Sequence, residues 1–252
     1  MKYKIKNSIK SILNSARNRN LQPVMNVESS LKKHSGAWLS RTIPLEQWRI
    51  AEVQLRRFEI GEPVAEFDVL NMAIEHAWSH RSILKNTLLE IGCQSGYYGK
   101  VLAKARPQMS YVGIDFSKSF VDLGKSLFSE LQLYVGDTRK IDYPDRSFGI
   151  VVSGSVFLHV YEWKIGLQES CREADDCLIL HRTPVSDGET ELFTKTAYGE
   201  RMIQWTFNES ELIGSVEKNG FQLIEKWPVY QGENLSKSAE LPSQFTYLFL
   251  RQ

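Results

Sequence analysis

The sequence is short of the features that would place it in several large classes at once. It has three cysteines (Cys93, Cys171 and Cys177) that form no Cys-x-x-Cys pair and no metal-ligand spacing. Neither a disulfide framework nor a zinc site can therefore be read from it. His76 and His80 are four apart but enclose no glutamate and have no apparent third ligand, so no metal is expected. No apolar run reaches about 18 residues, so no segment reads as a membrane span, and no signal peptide is recognisable. The expectation is a soluble, cytoplasmic protein. The formal net charge of +1 gives no global electrostatic case for nucleic acid as a partner.

At 252 residues and 42% apolar content, the chain can bury one substantial core, and a single α/β domain with an N-terminal extension fits best. The densest signal lies at residues 87–99, Thr-Leu-Leu-Glu-Ile-Gly-Cys-Gln-Ser-Gly-Tyr-Tyr-Gly. An apolar strand ends near Glu90, breaks into a turn with Gly92, Gly96 and Gly99, and enters a helical pattern from about Tyr98 to Ala105. A strand, a glycine turn and a helix N-terminus together present backbone N–H groups and a helix dipole to a ligand. A second strand, Tyr111–Asp115, ends in an acid 23 residues after Gly92, near the spacing that sets a carboxylate on a ribose. A third strand, Leu131–Val135, leads into Gly136-Asp137, and a fourth spans Phe148–Ser153. Short Val/Ile/Leu-rich runs alternating with helical segments predict a parallel sheet covered on both faces.

These residues resemble the class I S-adenosylmethionine-dependent methyltransferases. The likeness is carried by LLEIGCQSGYYG, YVGIDFS, VGDTRKIDYPDRSFGIVVS and DDCLILHRTP. It implies a Rossmann-like, doubly wound, mostly parallel seven-stranded sheet with an antiparallel last strand. It also implies S-adenosyl-L-methionine as cofactor. In that family Glu90 would hold the ammonium end, and the loop Gly92, Cys93, Gln94, Gly96 and Tyr97 would lie against the amino-acid and ribose portion. Gln94 stands where the family usually has glycine. Asp115 would accept from the ribose hydroxyls, Phe116 would border the adenine, Asp137 and Thr138 would contact its edge, and Ser153 would close the set. Asp115 and Asp137 can alternatively cap the turns that follow them.

Two histidines at strand ends, His159 and His181, are candidate general bases for a hydroxyl acceptor, with Tyr98 or Glu162 as substitutes. Candidate acceptor-binding residues are Tyr98 and Arg182 together with Tyr198, Arg201 and Trp205. The last three belong to an insertion at about 183–206 that reads as a covering loop. Its mixed aromatic and basic residues suit a ring-bearing or anionic small molecule or glycan. Narrower likenesses (Tyr-Tyr after the glycine loop, His-Arg-Thr-Pro, and Gly-Phe-Gln-Leu-Ile-Glu-Lys-Trp) point to methyltransferases of bacterial surface-polysaccharide synthesis.

The rest divides into a leader (1–25), a helical lead-in (26–80) and the main domain (81–252). The leader holds six basic residues and no acid before Val27, with Ile5, Ile9, Ile12 and Leu13 at helical spacing. Such a segment either docks on an anionic membrane surface or a partner, or is a solvated end, and Pro23 is expected to close it. In the lead-in, Gly61-Glu62-Pro63 separates two amphipathic helices; the family resemblance offers Trp38 and Trp48 as lid residues over the cofactor cleft, with core as the favoured reading. Two other function classes stay open. One is an NAD(P)-dependent oxidoreductase, although neither Gly-x-Gly-x-x-Gly nor Tyr-x-x-x-Lys occurs. The other is a non-catalytic binding protein.

Overall fold

The computed structural model describes residues 21–34, 36–80, 85–230 and 243–252. The basic segment of the leader therefore lies outside the described residues. Seven strands form the central sheet: β2 (Thr87–Ile91), β3 (Ser110–Asp115), β4 (Gln132–Val135), β5 (Phe148–Gly154), β6 (Ala174–Ser186), β9 (Phe221–Tyr230) and β10 (Ser243–Arg251). Their spatial order is β4-β3-β2-β5-β6-β10-β9, parallel throughout except for β10, which is antiparallel to both β6 and β9. This is the predicted seven-stranded arrangement.

Period-2 alternation explains why the sheet is covered on both faces. Leu88, Ile150, Val152, Cys177, Ile179, Leu248 and Leu250 point into one core. Their neighbours Leu89, Val151, Leu178, Leu180, Tyr247 and Phe249 point into the other. The first core is sealed by α2 (Ile43–Glu59), α3 (Ala65–His80) and α4 (Tyr97–Ala105), the second by α6 (Trp163–Glu173) and α7 (Glu209–Glu217). Leu88, Leu89, Ile150 and Val151 are fully buried, and each such side chain stabilises the fold by about 1.5–3 kcal/mol. The two lead-in helices form as predicted: Trp48 packs edge-on against Phe128 at 5.6 Å, and Phe67, Leu70 and Ile74 are buried. Helix α7 begins where Asn208 Oδ1 accepts from the Glu211 N–H at 2.9 Å, the expected N-cap.

Three readings need correction. The insertion is not a covering loop but a hairpin, β7 (Glu191–Ala197) and β8 (Glu200–Asn208). Its turn residues Tyr198 and Gly199 both have positive φ, +53° and +77°, as a two-residue type I′ connection requires. Strand β6 runs past His181 to Ser186 and pairs there with the end of β8. Pro23 does not merely close the leader: β1 (Gln22–Pro23) adds to the edge of β7, a place where a residue without an N–H is tolerated. The remaining helices are α1 (Val27–His34) and α5 (Lys118–Leu127).

A register shift in β10 between Phe245 and Tyr247 sets two residues of β6, His181 and Arg182, opposite the single residue Thr246. Arg182 takes φ +55° there. This is a β-bulge, which breaks the ladder and re-aims a side chain.

Among the described residues, no helix is long and apolar enough to cross a membrane, and no cluster of His, Cys, Asp and Glu could hold a metal ion. The His76 and His80 rings contact each other, with their Nε2 atoms 2.9 Å apart. His76 is half-buried against Trp227 rather than fully solvent-facing.

Candidate functional site

A cleft opens at the C-terminal ends of β2, β3, β4 and β5, where ligands bind in open α/β sheets. It is lined by Gly92, Gln94, Asp115, Phe116, Asp137, Thr138, His159 and Trp38, among others. The loop after β2 approaches it closely. Gly92 has φ +66°, and a Cβ there would stand 2.3 Å from Val156 Cγ2. The position therefore needs glycine twice over, for its backbone and for space. Gln94 takes φ +53°, a conformation that favours glycine, and its N–H donates to Asp115 Oδ2 at 2.9 Å. The Ser117 N–H donates to Asp115 Oδ1 at 2.8 Å. Asp115 thus holds the two loops together and still presents lone pairs to the cleft. Burial lifts its carboxyl to about 6 against the opposing pull of those two donors.

Behind the glycine turn, Glu90 is buried and takes the Tyr111 hydroxyl at 2.5 Å. Burial pushes it up to about 8, and the Asp115 carboxylate adds to the shift. At neutral pH it is mostly protonated. On the adenine side of the expected cofactor, Arg139 grips both oxygens of Asp137, with Nη2 at 2.6 Å and Nε at 3.0 Å, and reaches Glu162 at 2.6 Å. The guanidinium holds the Asp137 carboxyl below its ordinary value.

His159 sits on the opposite wall. Its Nδ1 lies 2.7 Å from the Ile203 carbonyl of β8. A carbonyl only accepts, so Nδ1 carries the proton and Nε2 keeps its lone pair. Burial, with the nearby Lys195 charge, pushes the ring down to about 3. The ring is neutral, and its indole neighbour Trp38 lies 4.7 Å away, centroid to centroid.

Below this wall the β6 bulge directs Arg182 onto Glu66, onto the Tyr98 hydroxyl at 3.0 Å and onto Ser155 Oγ at 3.2 Å. Ser155 also has positive φ, +57°, and donates back to the Arg182 carbonyl. Among the described residues, two of the five non-glycine residues with positive φ, Gln94 and Ser155, line the cleft, and a third, Arg182, adjoins Ser155. Strained backbone gathers at working sites in this way.

Comparison with known proteins agrees with this geometry. Residues 89–174 match a family described as a methyltransferase domain. Among curated proteins, the chain is 25% identical over 114 residues to a demethylmenaquinone methyltransferase of Deinococcus radiodurans, covering 41% of this chain and 47% of that one. It is 29% identical over 72 residues to a malonyl-[acyl-carrier protein] O-methyltransferase of Priestia megaterium, covering 28% and 26%. The chain thus spans less than half the length of each of these relatives. Among solved structures, an S-adenosylmethionine-dependent methyltransferase from Clostridium acetobutylicum superposes with a TM-score of 0.57 at 11% identity, over 81% of this chain and 98% of that one. The magnesium protoporphyrin IX methyltransferase of Synechocystis, solved with bound S-adenosylmethionine, gives 0.54 at 14% identity over 75% and 80%. Residues 89–174 thus carry the signature of a methyltransferase domain, on the fold that these solved methyltransferases share.

The residues of the cleft fit S-adenosylmethionine as a ligand. Three buried polar atoms of lining residues, Gln94 Oε1, Thr138 Oγ1 and Trp38 Nε1, have no hydrogen-bond partner. Orphaned buried polar atoms call for a partner, and a ligand bearing hydroxyls, amines and a carboxylate offers several. Gly92, Gln94, Asp115, Phe116, Asp137 and Thr138 line the cleft as the sequence predicts.

Glu90, Cys93, Gly96, Tyr97 and Ser153 do not line it; they lie in the layer beneath, where Cys93, Tyr97 and Ser153 are buried. His181 is also corrected. It is fully buried, with Nδ1 on Thr246 Oγ1 at 2.8 Å and Nε2 on the Tyr98 hydroxyl at 3.2 Å. It braces the floor of the cleft from within the core. Tyr98 is 2% exposed and acts from the same layer. Glu162 is paired with Arg139 and is not a free base.

In the hairpin, Tyr198 packs on Trp38 at 6.1 Å, but Arg201 turns away to Thr194 and Gln22. Trp205 donates to the Val160 carbonyl at 3.0 Å and lines a separate open depression with Trp163, Lys164 and Asp187. Sequence reasoning missed Arg139, Ser155 and Ile203, and of its two readings for Trp38 it favoured core over lid, although Trp38 lines the cleft. Only Arg139, two residues after Asp137, carried a local signal.

Proposed function

We propose that the chain is an S-adenosylmethionine-dependent methyltransferase that transfers a methyl group to an oxygen of a small-molecule or glycan acceptor. The observation carrying this reading is the junction of the Gly92 turn with Asp115 at the mouth of β2 and β3, a cradle for a ribose and an amino-acid tail. When bound, the cofactor supplies an electrophilic methyl on a sulfonium. Asp115 would accept from the ribose hydroxyls, and Phe116 would cover one face of the adenine. Thr138 would meet the adenine edge beside Asp137, and Glu90 would answer the ammonium group through the layer beneath Gly92. Methyl transfer is an in-line displacement, so the chain's work is alignment and exclusion of water. His159 Nε2 would accept a hydrogen bond from the acceptor hydroxyl and orient it; the hydroxyl proton would be released to solvent as the new C–O bond replaces the S–C bond. Tyr198 and Arg182 would shape the acceptor side.

The named relatives act on unlike acceptors, so likeness to them does not choose one. A sugar nucleotide or glycan of bacterial surface-polysaccharide synthesis is favoured by the Tyr97-Tyr98, His181-to-Pro184 and Gly220-to-Trp227 segments. On this reading the protein works in the cytoplasm and touches the inner membrane face through the basic residues before Leu21. Deleting residues 1–20, which stops short of the Gln22 pairing, should abolish binding to anionic liposomes.

Calorimetry with S-adenosylmethionine, S-adenosylhomocysteine and NAD tests the main reading. Saturable binding of the first two without NAD is expected. Binding of NAD alone would overturn it in favour of an oxidoreductase.

A further inference from the structure

We propose that the acceptor carries an oxyanion, a carboxylate or a phosphate, and that Lys195 on β7 is the cation that holds it. The inference rests on the methyltransferase reading and narrows its substrate class.

The hairpin register places Lys195. It stands directly opposite Met202 on β8, and Ala197 follows two residues on. Opposite and alternate residues share one face of a hairpin. Met202 and Ala197 pack in one cluster with Phe120, Trp38 and Tyr198, and Phe120 and Trp38 line the cleft. Lys195 therefore projects on the face that packs against these two cleft-wall residues; Ile203, which alternates with Arg201 and Trp205, also reaches the cleft, with its carbonyl on His159. Its charge is felt by His159 on the cleft wall, and it in turn feels Arg182.

Two features single out this lysine. It is partly buried, yet among the described residues it makes no ion pair and no hydrogen bond. A desolvated cation without a carboxylate is costly, and burial together with the Arg182 charge pulls its ammonium down to about 8. The charge that acts on it is of like sign: Arg182, which already engages Glu66, while His159 is neutral. An acceptor bringing an oxyanion gives Lys195 the charge-assisted hydrogen bond it lacks.

The test is calorimetry on the full chain saturated with S-adenosylhomocysteine, using benzoate and phenyl phosphate as probes and benzamide as the neutral counterpart. At least one anion should bind saturably and benzamide should not; the preferred anion assigns carboxylate or phosphate. Lys195→Met should weaken anion binding at least about tenfold, as expected for loss of one charged hydrogen bond. Lys195→Arg should keep it within about threefold on the same argument. S-adenosylhomocysteine affinity should be unchanged in both variants. The proposal is overturned if the wild-type protein binds S-adenosylhomocysteine but neither anion, if benzamide binds as well as benzoate, or if Lys195→Met binds anions like wild type. Failure to bind S-adenosylhomocysteine at all would instead sink the methyltransferase reading. The wild-type comparison of benzoate with benzamide decides the matter even if a variant does not fold.

Discussion

Cofactor binding should expel a proton from Glu90. In the free protein its carboxyl is held at about 8 by burial, so at pH 7 about nine in ten copies are protonated. An ammonium group brought within about 4–6 Å lowers a carboxyl by roughly 1–3 pH units. A fall of about two units leaves roughly one copy in ten protonated at pH 7, for a net release of about 0.8 proton per cofactor bound. Asp115, at about 6, is mostly ionised at that pH and adds little. The assay is calorimetric titration with S-adenosylhomocysteine in buffers of low and high ionisation enthalpy, whose difference counts the protons. Glu90→Gln should abolish the release while preserving the Tyr111 contact.

The same group sets a stability trend. Its folded value is raised, so its contribution is complete below its unfolded value near 4.5 and is lost as pH rises through about 8. The loss amounts to at most about 1.4 kcal/mol per pH unit. Glu90→Gln should flatten the melting temperature over that window. A release below about 0.2 proton, or one that survives in Glu90→Gln, would refute the reasoning.

Three further outcomes are expected. Asp115→Asn should weaken S-adenosylhomocysteine binding by roughly 1.5–3 kcal/mol, the worth of a charged hydrogen bond; in the Glu90→Gln background, which lacks the proton released by Glu90, affinity should be flat above about pH 7 and fall as Asp115 protonates through about 6, and an unchanged Kd on either count would remove Asp115 from the ribose site. Gly92→Ala forces a Cβ to within 2.3 Å of Val156 at φ +66° and should cost about 1–3 kcal/mol in chemical denaturation, with loss of cofactor binding. Gln94→Gly should relieve the φ +53° backbone and raise stability by up to about 1 kcal/mol, read as a higher denaturant midpoint at unchanged slope.

The parts of the site that the sequence discloses are those made by near neighbours. The Gly92 turn and Asp115 are one strand–helix–strand unit, and the chemistry of a left-handed turn and a carboxylate at a strand end is written locally. The hairpin was not legible in the same way. Thr194, Gln204 and Thr206 are buried, so polarity does not mark an inner face, and Lys195 and Arg201 look equivalent until cross-strand register separates them. His181 looks like a base at a strand end, yet Thr246, 65 residues later, and Tyr98 enclose it. Trp38 reads as core from its apolar neighbours, and only the long-range approach of its segment to His159 and Tyr198 places it at the cleft.

The extra residue in β6 inverts the phase of the strand. Before it, Leu178 and Leu180 face the core under α6 and α7; after it, Val185 faces the same side. Even and odd positions have exchanged roles. The first half of β6 is locked to β5 by its alternation, while the second half pairs with the end of β8 and the start of β10 under a separate count. A residue gained or lost beyond Arg182 would therefore rephase the hairpin together with the first residues of β10 and leave β2, β3, β4 and β5, the strands under the cleft, in place. The hairpin side of this fold can change its lining while those four strands keep theirs.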